Sequence, residues 1–247
     1  MKIRIVLPAY NEEDSLPSLL LRIDAFSKVS KLPLEVLVIN DGSTDNTLQL
    51  IKDFKGNIPV NFFDVQPNQG LANALRTGFR EGLKGLEERD ILVTMDADDS
   101  QNPYLIEQMA WLILQGSELV IASRYQHGAR IKGLTVFRRF ASWVAGTLFR
   151  VIVGMEGVRD YTCGFRAYQA GFLRKVSEYY GDRFIEQKGF GCMAEVLIKT
   201  NRFRPVANEV PMILRYDQKQ GASKMNVNST IFQTLKLLAD YAFGRIK

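Results

Sequence analysis

Four short apolar segments, each followed by a polar cluster, constrain the fold of this chain more than any other feature of its sequence. They lie at residues 3–7, 34–40, 60–65 and 91–95 and are rich in branched side chains. Helical patterns separate them at residues 16–26, 45–54 and 71–86. Strands that alternate with helices predict βαβ units and a parallel sheet covered by helices on both faces. We therefore predict an α/β fold with a mostly parallel central sheet.

The polar clusters fall where the predicted strands end. Glu12 follows the first strand, Asp41 the second, Asn68 the third, and Asp96 and Asp98 the fourth. The carboxyl ends of parallel strands share one edge of the sheet, and ligands of open α/β sheets bind there. The pattern predicts a shared nucleotide-type site, with solvated turn residues as the alternative interpretation.

The second half of the chain is less regular. We predict a helix after Pro103, strands at residues 119–123 and 204–214, and a closing amphipathic helix at residues 231–243. Residues 135–153 mix aromatic and basic side chains in a helical pattern, which suits either a membrane surface or core packing. We expect one domain over residues 1–247, with a nucleotide-binding half at 1–125 and an acceptor half at 126–247.

The composition and net charge of the chain limit the classes of binding partner and the cellular compartment. The chain has 247 residues, is 46% hydrophobic and carries a formal net charge of +5, which suits nucleic acid, an anionic membrane surface or a phosphorylated substrate. Its two cysteines, Cys163 and Cys192, lack metal-type spacing and predict a reducing compartment. Arg150 interrupts the most apolar run, so no segment matches the ~18–20 residues that span a bilayer. We therefore expect a cytoplasmic protein that binds peripherally to the cytoplasmic face of the membrane.

The pair Asp96 and Asp98 predicts a metal site. Two carboxylates at the end of a buried strand are costly to desolvate unless a cation compensates them. Mg²⁺ binds through one or two carboxylates together with substrate phosphates, and Mn²⁺ accepts similar ligands. Asp41 can accept hydrogen bonds from a uracil or guanine base, or can simply shape its turn.

Other enzyme classes lack their signatures here. No GxGxxG follows a strand and no GxxxxGK[ST] occurs, which disfavours dinucleotide oxidoreductases and P-loop NTPases. The single histidine, His127, lies in a predicted exposed loop, and no Ser–His–Asp arrangement is visible. A nucleotidyltransferase should carry a basic, glycine-rich loop after the first strand, whereas this chain has an acidic one. A non-catalytic binding module would not need the intact acid pair.

Several stretches together resemble family 2 of the inverting glycosyltransferases, which has the GT-A fold, and within it the dolichol-phosphate mannosyltransferase and bacterial polyprenyl-phosphate branch. In order along nearly the whole chain, these stretches are LPAYNE (7–12), VINDGSTD (38–45), NQGLANA (68–74), MDAD (95–98), ASRY (122–125), DYTCGFR (160–166), EVP (209–211) and GASK (221–224). Each motif alone is weakly specific, but the ordered combination is highly specific.

The resemblance implies a role for each matching residue. The base and ribose pocket of the nucleotide-sugar donor would be lined by Pro8, Ala9, Tyr10, Glu12 and Asp41. Asp96 and Asp98 would bind Mg²⁺ or Mn²⁺ with the diphosphate. The basic and hydroxyl residues that would face donor or acceptor phosphates are Arg124, Arg166, Ser223 and Lys224. Glu195 matches an acid of the family, without an assigned step.

Three positions depart from the family pattern. Ser100, with Gln101 beside it, stands where a third metal contact is common, so the third ligand stays open. Gln218 stands where an Arg is common, and Lys219 or Arg215 would supply that charge. Cys163 replaces a frequent Ser.

The resemblance predicts transfer of a mannose- or glucose-type hexose from GDP-mannose or a UDP-hexose to a polyprenyl phosphate. An ionised phosphate acceptor needs no general base, so arginines and lysines suffice to hold two anions at attack distance. The alternative is a hydroxyl acceptor in glycan or cell-envelope polysaccharide synthesis, which requires a carboxylate base. The lipid acceptor implies contact with a membrane surface, with or without a membrane partner protein, and no nucleic acid.

Overall fold

The first half of the chain alternates strands and helices as predicted. The computed structural model describes residues 1–133, 144, 146–189, 191–215 and 227–245. Its first elements are β1 (Ile3–Ala9), α1 (Leu16–Ser27), β2 (Leu34–Asp41), α2 (Thr47–Asp53), β3 (Val60–Val65), α3 (Leu71–Gly82) and β4 (Ile91–Thr94). The predicted strands and helices of this half are therefore all present, with bounds that differ by a few residues.

The second half mixes strands and helices less regularly. It contains α4 (Leu105–Leu114), β5 (Leu119–Ser123), β6 (Arg130–Lys132), β7 (Arg166–Gln169), α5 (Ala170–Tyr180), α6 (Gly191–Asn201), β8 (Ala207–Pro211), β9 (Ile213–Arg215) and α7 (Val227–Ala242). A 3₁₀ turn occupies Gly181–Phe184, and residues 146–152 are helical. Residues 135–143 and 145 of the predicted 135–153 helix lie outside the described residues.

Among the described residues, seven strands form the central sheet, in the order β3-β2-β1-β4-β7-β5-β8. All neighbours pair in parallel except β7, which runs antiparallel between β4 and β5. A separate two-stranded sheet joins β6 to β9. This mostly parallel sheet flanked by helices confirms the predicted GT-A-type α/β architecture. Within the described residues, no helix is both long enough and apolar enough to cross a bilayer.

Two glycines let α3 lie close to the sheet. A Cβ added to Gly78 would stand 2.6 Å from Cγ1 of Val6, and one added to Gly82 would stand 2.9 Å from Cδ1 of Leu92. Glycine costs roughly 0.5–1 kcal/mol relative to alanine inside a helix. Here it allows the helix backbone to approach the strands on which the polar loops are mounted.

Two expectations about the strands need correction, and one strand was not predicted. The predicted strand 204–214 is two strands in different sheets, β8 and β9. Between them Met212 donates its N–H to the carbonyl oxygen of Ser123 at 2.9 Å. The β3 segment, expected to be buried, is the exposed edge of the sheet, with Phe62 41% exposed. The antiparallel strand β7 has no periodic signal, because it has only four residues and follows a polar loop.

Candidate active site

The loops after β1 and β2 are joined by hydrogen bonds. The backbone N–H groups of Asn11 and Glu12 donate to the hydroxyls of Ser43 at 2.9 Å and Thr47 at 2.8 Å. The strands leading into these loops are adjacent, since Ala9 pairs with Asn40. Pro8 and Ala9 therefore end β1 beside β2, and Tyr10 projects from this edge with 37% of its surface exposed.

Asp41 is buried and holds the loop that follows β3. Its carboxylate oxygens accept hydrogen bonds from the N–H groups of Gln69 at 3.0 Å and Gly70 at 2.7 Å. The side-chain amide of Asn68 also donates to this carboxylate, at 3.0 Å. Gly42 makes the approach feasible, because a Cβ there would lie 2.4 Å from the backbone nitrogen of Asn68. Asp41 thus links the end of β2 to the loop after β3, beyond shaping its own turn.

Each residue of the acid pair is held by a neighbouring polar side chain. The amide of Gln101 donates to Oδ2 of Asp96 at 2.7 Å, and its own carbonyl oxygen accepts the N–H of Asp96 at 3.1 Å. The hydroxyl of Ser100 donates to Oδ1 of Asp98 at 2.6 Å. Ser100 and Gln101 are both 3% exposed. The residues at the position of a common third metal contact therefore orient the two aspartates.

The loop before β7 lies against the acid pair. The hydroxyl of Thr94 donates to the carbonyl oxygen of Gly164 at 2.7 Å. A Cβ built on Gly164 would lie 3.0 Å from Cε of Met193 and 3.3 Å from Oδ1 of Asp96. The segment 160–166, the beginning of α6 and the acid pair consequently meet at one edge of the sheet.

Arg124 and Asp160 form a buried bidentate ion pair. Nε and Nη2 of Arg124 donate to the two carboxylate oxygens at 2.8 and 2.6 Å, and the Arg124 backbone N–H adds a bond of 2.9 Å. Burial would raise the pKa of Asp160, but the Arg124 charge and the hydrogen bonds lower it. Burial opposes the charge of Arg124 too, yet Asp160 raises the pKa of that guanidinium. Both groups are therefore charged at neutral pH.

Glu209 supports this ion pair from the next strand. Its Oε1 accepts the backbone N–H groups of Arg159 and Asp160, both at 2.7 Å. Burial raises the pKa of Glu209, and these two hydrogen bonds only partly offset that effect. The family motif at residues 209–211 thus acts on the site by fixing the backbone that carries Asp160.

The placement of Arg166 departs from the expectation that it faces a phosphate. It is the first residue of β7 and is 0% exposed. Its guanidinium donates to the carbonyl oxygens of Met193 at 2.7 Å and Tyr161 at 3.0 Å. In this structure Arg166 joins α6 to the 160–166 loop, and no solvent reaches it. The contacts seen here support that loop, and a phosphate contact of Arg166 stays a prediction.

Glu195 and Lys199 form a second buried ion pair, with Lys199 Nζ 2.7 Å from Oε1 of Glu195. The other carboxylate oxygen accepts the N–H groups of Glu186 at 2.9 Å and Gln187 at 2.8 Å. Lys199 also donates to the carbonyl oxygen of Arg183. Glu195, the acid to which the family resemblance assigned no catalytic step, therefore holds the loop that precedes α6.

Ser223 and Lys224 lie outside the described residues, as do Gln218 and Lys219. The segment that carries them starts at the acid pair, because the N–H of Arg215 donates to the carbonyl oxygen of Ser100 at 3.1 Å. His127 is exposed in its loop, as expected.

Gln101, Asp160 and Lys199 contribute to the site without having been predicted to do so. Gln101 was noted only as the neighbour of Ser100, at the position of a common third metal contact, and Asp160 only as part of a family motif. The spacing of Glu195 and Lys199 was the available signal for their pair, since residues four apart on a helix share a face.

Comparisons with known proteins agree with this architecture. The chain has the fold of a GT-A glycosyltransferase: glucosyl-3-phosphoglycerate synthase from Mycobacterium tuberculosis, solved with Mn²⁺, UDP and phosphoglyceric acid, superimposes with a TM-score of 0.66. That structure shares 21% sequence identity, and the match covers 98% of this chain and 78% of that one.

The sequence defines the family. Residues 4–177 match Glycosyl transferase family 2, and the chain belongs to that family. Undecaprenyl-phosphate mannosyltransferase of Micrococcus luteus is 34% identical over 231 residues, which are 92% of this chain and 88% of that protein. Dolichol-phosphate mannosyltransferase of Pyrococcus furiosus is 29% identical over 237 residues, 96% of this chain and 62% of that protein. The predicted resemblance is confirmed, and the protein is a glycosyltransferase.

Proposed function

We propose that this glycosyltransferase transfers a mannose- or glucose-type hexose from a nucleotide diphosphate sugar to a polyprenyl phosphate, with inversion of configuration at the anomeric carbon. The observation that carries the proposal is the meeting of the Asp96/Asp98 pair with the 160–166 loop at one edge of the sheet, because in the family resemblance this loop is the stretch that most suggests a polyprenyl-phosphate acceptor. The names of the relatives, which include an undecaprenyl-phosphate and a dolichol-phosphate mannosyltransferase, support the lipid-phosphate acceptor.

A divalent ion, Mg²⁺ or Mn²⁺, would be held by Asp96 and Asp98. The donor set fits, because hard cations prefer carboxylate oxygens and often complete their shell with substrate phosphates and water. In the described part of the chain, no three acidic, histidine or cysteine side chains are grouped to hold a metal by themselves. When bound, the ion supplies charge stabilisation for a departing diphosphate. Gln101 and Ser100 restrict the rotamers of the two ligands.

On the donor side, the surface assembled by Asp41 would bind the nucleoside. Asp41 fixes the position of Gln69 and Gly70, and the loop of Tyr10 and Glu12 stands across from it on the neighbouring strand. Pro8 and Ala9 would line the floor of the base pocket. They end β1, which lies between β2 and β4 in the sheet. Lys224 would contact donor phosphates and Ser223 the acceptor phosphate.

On the acceptor side, Arg124 would attract the lipid phosphate. Its Nε and one terminal nitrogen are committed to Asp160, so its plane is fixed before any substrate arrives. Preorganised cations of this kind cost no reorganisation when charge shifts during the reaction. An ionised phosphate oxygen would attack C1 directly, on the face opposite the diphosphate.

The alternative, a hydroxyl acceptor, needs a carboxylate able to remove a proton. The acid that resembles one of the family, Glu195, is paired with Lys199 and accepts two backbone N–H groups. That commitment favours a phosphate acceptor, for which no base is required. Access to such an acceptor implies work at a membrane surface, from the cytoplasmic face and with or without a membrane partner protein.

Transfer into a lipid phase tests the proposal. Purified protein is incubated with undecaprenyl phosphate, Mg²⁺ or Mn²⁺, and radiolabelled GDP-mannose or UDP-glucose, and the label is measured after organic extraction. Label should enter the organic phase with one of these donors. The matched control acceptor is undecaprenol, which lacks the phosphate and should accept nothing. Transfer to undecaprenol, or only to soluble glycans, would refute the phosphate acceptor.

A further inference from the structure

A small basic cavity of about 150 Å³ is lined in part by the sequence neighbours of Arg124 and Asp160. Its lining is formed by Tyr125, Gly146, Thr147, Arg150 and Arg159. Tyr125 directly follows Arg124 in the chain, and Arg159 directly precedes Asp160. The cavity is therefore built on the same backbone as the ion pair of the acceptor side, although none of its lining residues has a role in the site described above.

The walls of the cavity are fixed by packing. A Cβ on Gly146 would lie 3.4 Å from the ring of Tyr125, so the helical segment 146–152 rests closely on that ring. The same segment is anchored by Phe149, which is 0% exposed and stacks on Tyr161 with ring centroids 5.2 Å apart. Glu209 holds the backbone of Arg159. The two arginines are thus mounted on rigid elements.

Neither arginine of the cavity has an ion-pair partner among the described residues. Arg124, Arg22 and Arg4, in contrast, each pair with a carboxylate. Arg150 and Arg159 are both exposed and line the same cavity, so an anion bound there would be attracted by two positive charges. The planar donor fork of arginine matches the oxygen geometry of phosphate. A phosphate group is therefore the ligand that these walls suit best.

The outer face of the same helical segment is apolar. Leu148 is 36%, Val151 78% and Ile152 38% exposed. Residues three and four apart share one face of a helix, so these side chains form one stripe, next to the face that carries Thr147 and Arg150. Apolar residues beside basic ones characterise helices that lie in the interface of an anionic bilayer.

We propose that this cavity binds the phosphate group of an anionic membrane lipid while Leu148, Val151 and Ile152 insert among the acyl chains. Such a contact would hold the acceptor side of the site against the bilayer. This inference rests on the proposed function only for the reason why the protein would contact a membrane. Lipid binding itself requires neither the sugar donor nor turnover.

Vesicle cosedimentation without nucleotide sugar tests this inference separately from the transfer assay. Phosphatidylcholine vesicles with and without phosphatidylglycerol are used. Wild-type protein should bind only the anionic vesicles well. The variant Arg150→Gln/Arg159→Gln should lose about 30-fold in partitioning, since each basic residue near an anionic surface contributes about fivefold. The control Lys55→Gln/Arg89→Gln removes two exposed charges in the segments that precede β3 and β4. These segments lie at the amino ends of the strands, opposite the carboxyl ends that carry the site, so this variant should bind like wild type.

A second pair of variants tests the apolar stripe. Val151→Asp should abolish vesicle binding, whereas Val206→Asp, at another exposed valine that precedes β8, should leave it unchanged. Full binding by the double arginine variant or by Val151→Asp overturns the proposal. Titration with inorganic phosphate distinguishes a soluble ligand. If phosphate bound in an Arg150-dependent manner while neither vesicle type bound, the cavity would serve a soluble anion and the lipid assignment would be wrong.

Discussion

Arg124 and Asp160 are 36 positions apart in the chain, yet they form a bidentate ion pair with contacts of 2.6 and 2.8 Å. The carboxylate is 0% exposed and also accepts the N–H of Cys163 at 3.1 Å. The pair therefore joins the end of β5 to the loop before β7, which approaches the acid pair. This link makes the end of β5 and the loop before β7 a single rigid unit.

Replacement of Asp160 by Asn should destabilise the protein strongly. Removing one partner of a buried ion pair costs about 3–5 kcal/mol, because the other charge stays buried and uncompensated. The free energy of unfolding, measured in urea at neutral pH, checks the loss. Asp182→Asn, at an exposed acid, is the control and should change stability little. A loss below about 1 kcal/mol at Asp160 would contradict the structural role.

The same pair predicts a pH dependence. The lowered pKa of Asp160 means that its stabilising contribution is present above the ordinary carboxyl pKa of about 3.9. The contribution is lost as the pH falls through the lower folded-state value. The stability difference between wild type and Asp160→Asn should accordingly shrink in acid. A difference that stays constant down to the acid transition would contradict the assigned pKa shift.

Substitution of Arg166 distinguishes a structural role from contact with the acceptor phosphate. Because its guanidinium holds Met193 and Tyr161, Arg166→Met should reduce the free energy of unfolding and kcat together. If Arg166 instead met the acceptor phosphate, stability would be unchanged and the KM for the acceptor alone would rise. Urea unfolding and steady-state kinetics on the same preparation decide between these outcomes.

Gln101 should act on the metal through Asp96. Loss of a group that orients a metal ligand commonly costs 10–100-fold in affinity or activity. We expect Gln101→Ala to weaken Mn²⁺ binding by about that factor with little change in fold, as measured by Mn²⁺ titration in the presence of GDP or UDP. Gln115→Ala, at an exposed position beyond α4, is the matched control. Unchanged Mn²⁺ affinity in Gln101→Ala would show that Asp96 needs no such support.

Both cysteines should be inert in the folded protein. Burial raises the pKa of the Cys163 and Cys192 thiols to about 12, so almost no thiolate exists at pH 8. Iodoacetamide should label neither thiol in the native protein and both after unfolding in guanidinium. Rapid labelling of native Cys163, which lies beside Asp160, would indicate that the 160–166 loop opens.

The sequence predicted those parts of the fold that have a local periodic signal. The strands before Asp41 and Asp96 and the helices between them follow from apolar patterning, and the carboxyl-end rule then places their acids together. The antiparallel β7 and the division at Met212 were not predictable, because both depend on pairing with strands distant in sequence. Burial of Arg166 was missed for the same reason: its partners are backbone carbonyls of α6 and the 160–166 loop, which leave no residue-type signature.

We propose that Asp96 and Asp98 hold a divalent ion against the donor diphosphate. Calorimetric titration of GDP and UDP into wild type and Asp98→Asn, each with and without Mn²⁺, measures this linkage. Mn²⁺ should tighten binding of the preferred nucleotide to wild type and should have no such effect on Asp98→Asn. Equal tightening in both proteins, or none in wild type with either nucleotide, would show that the acid pair does not hold the ion.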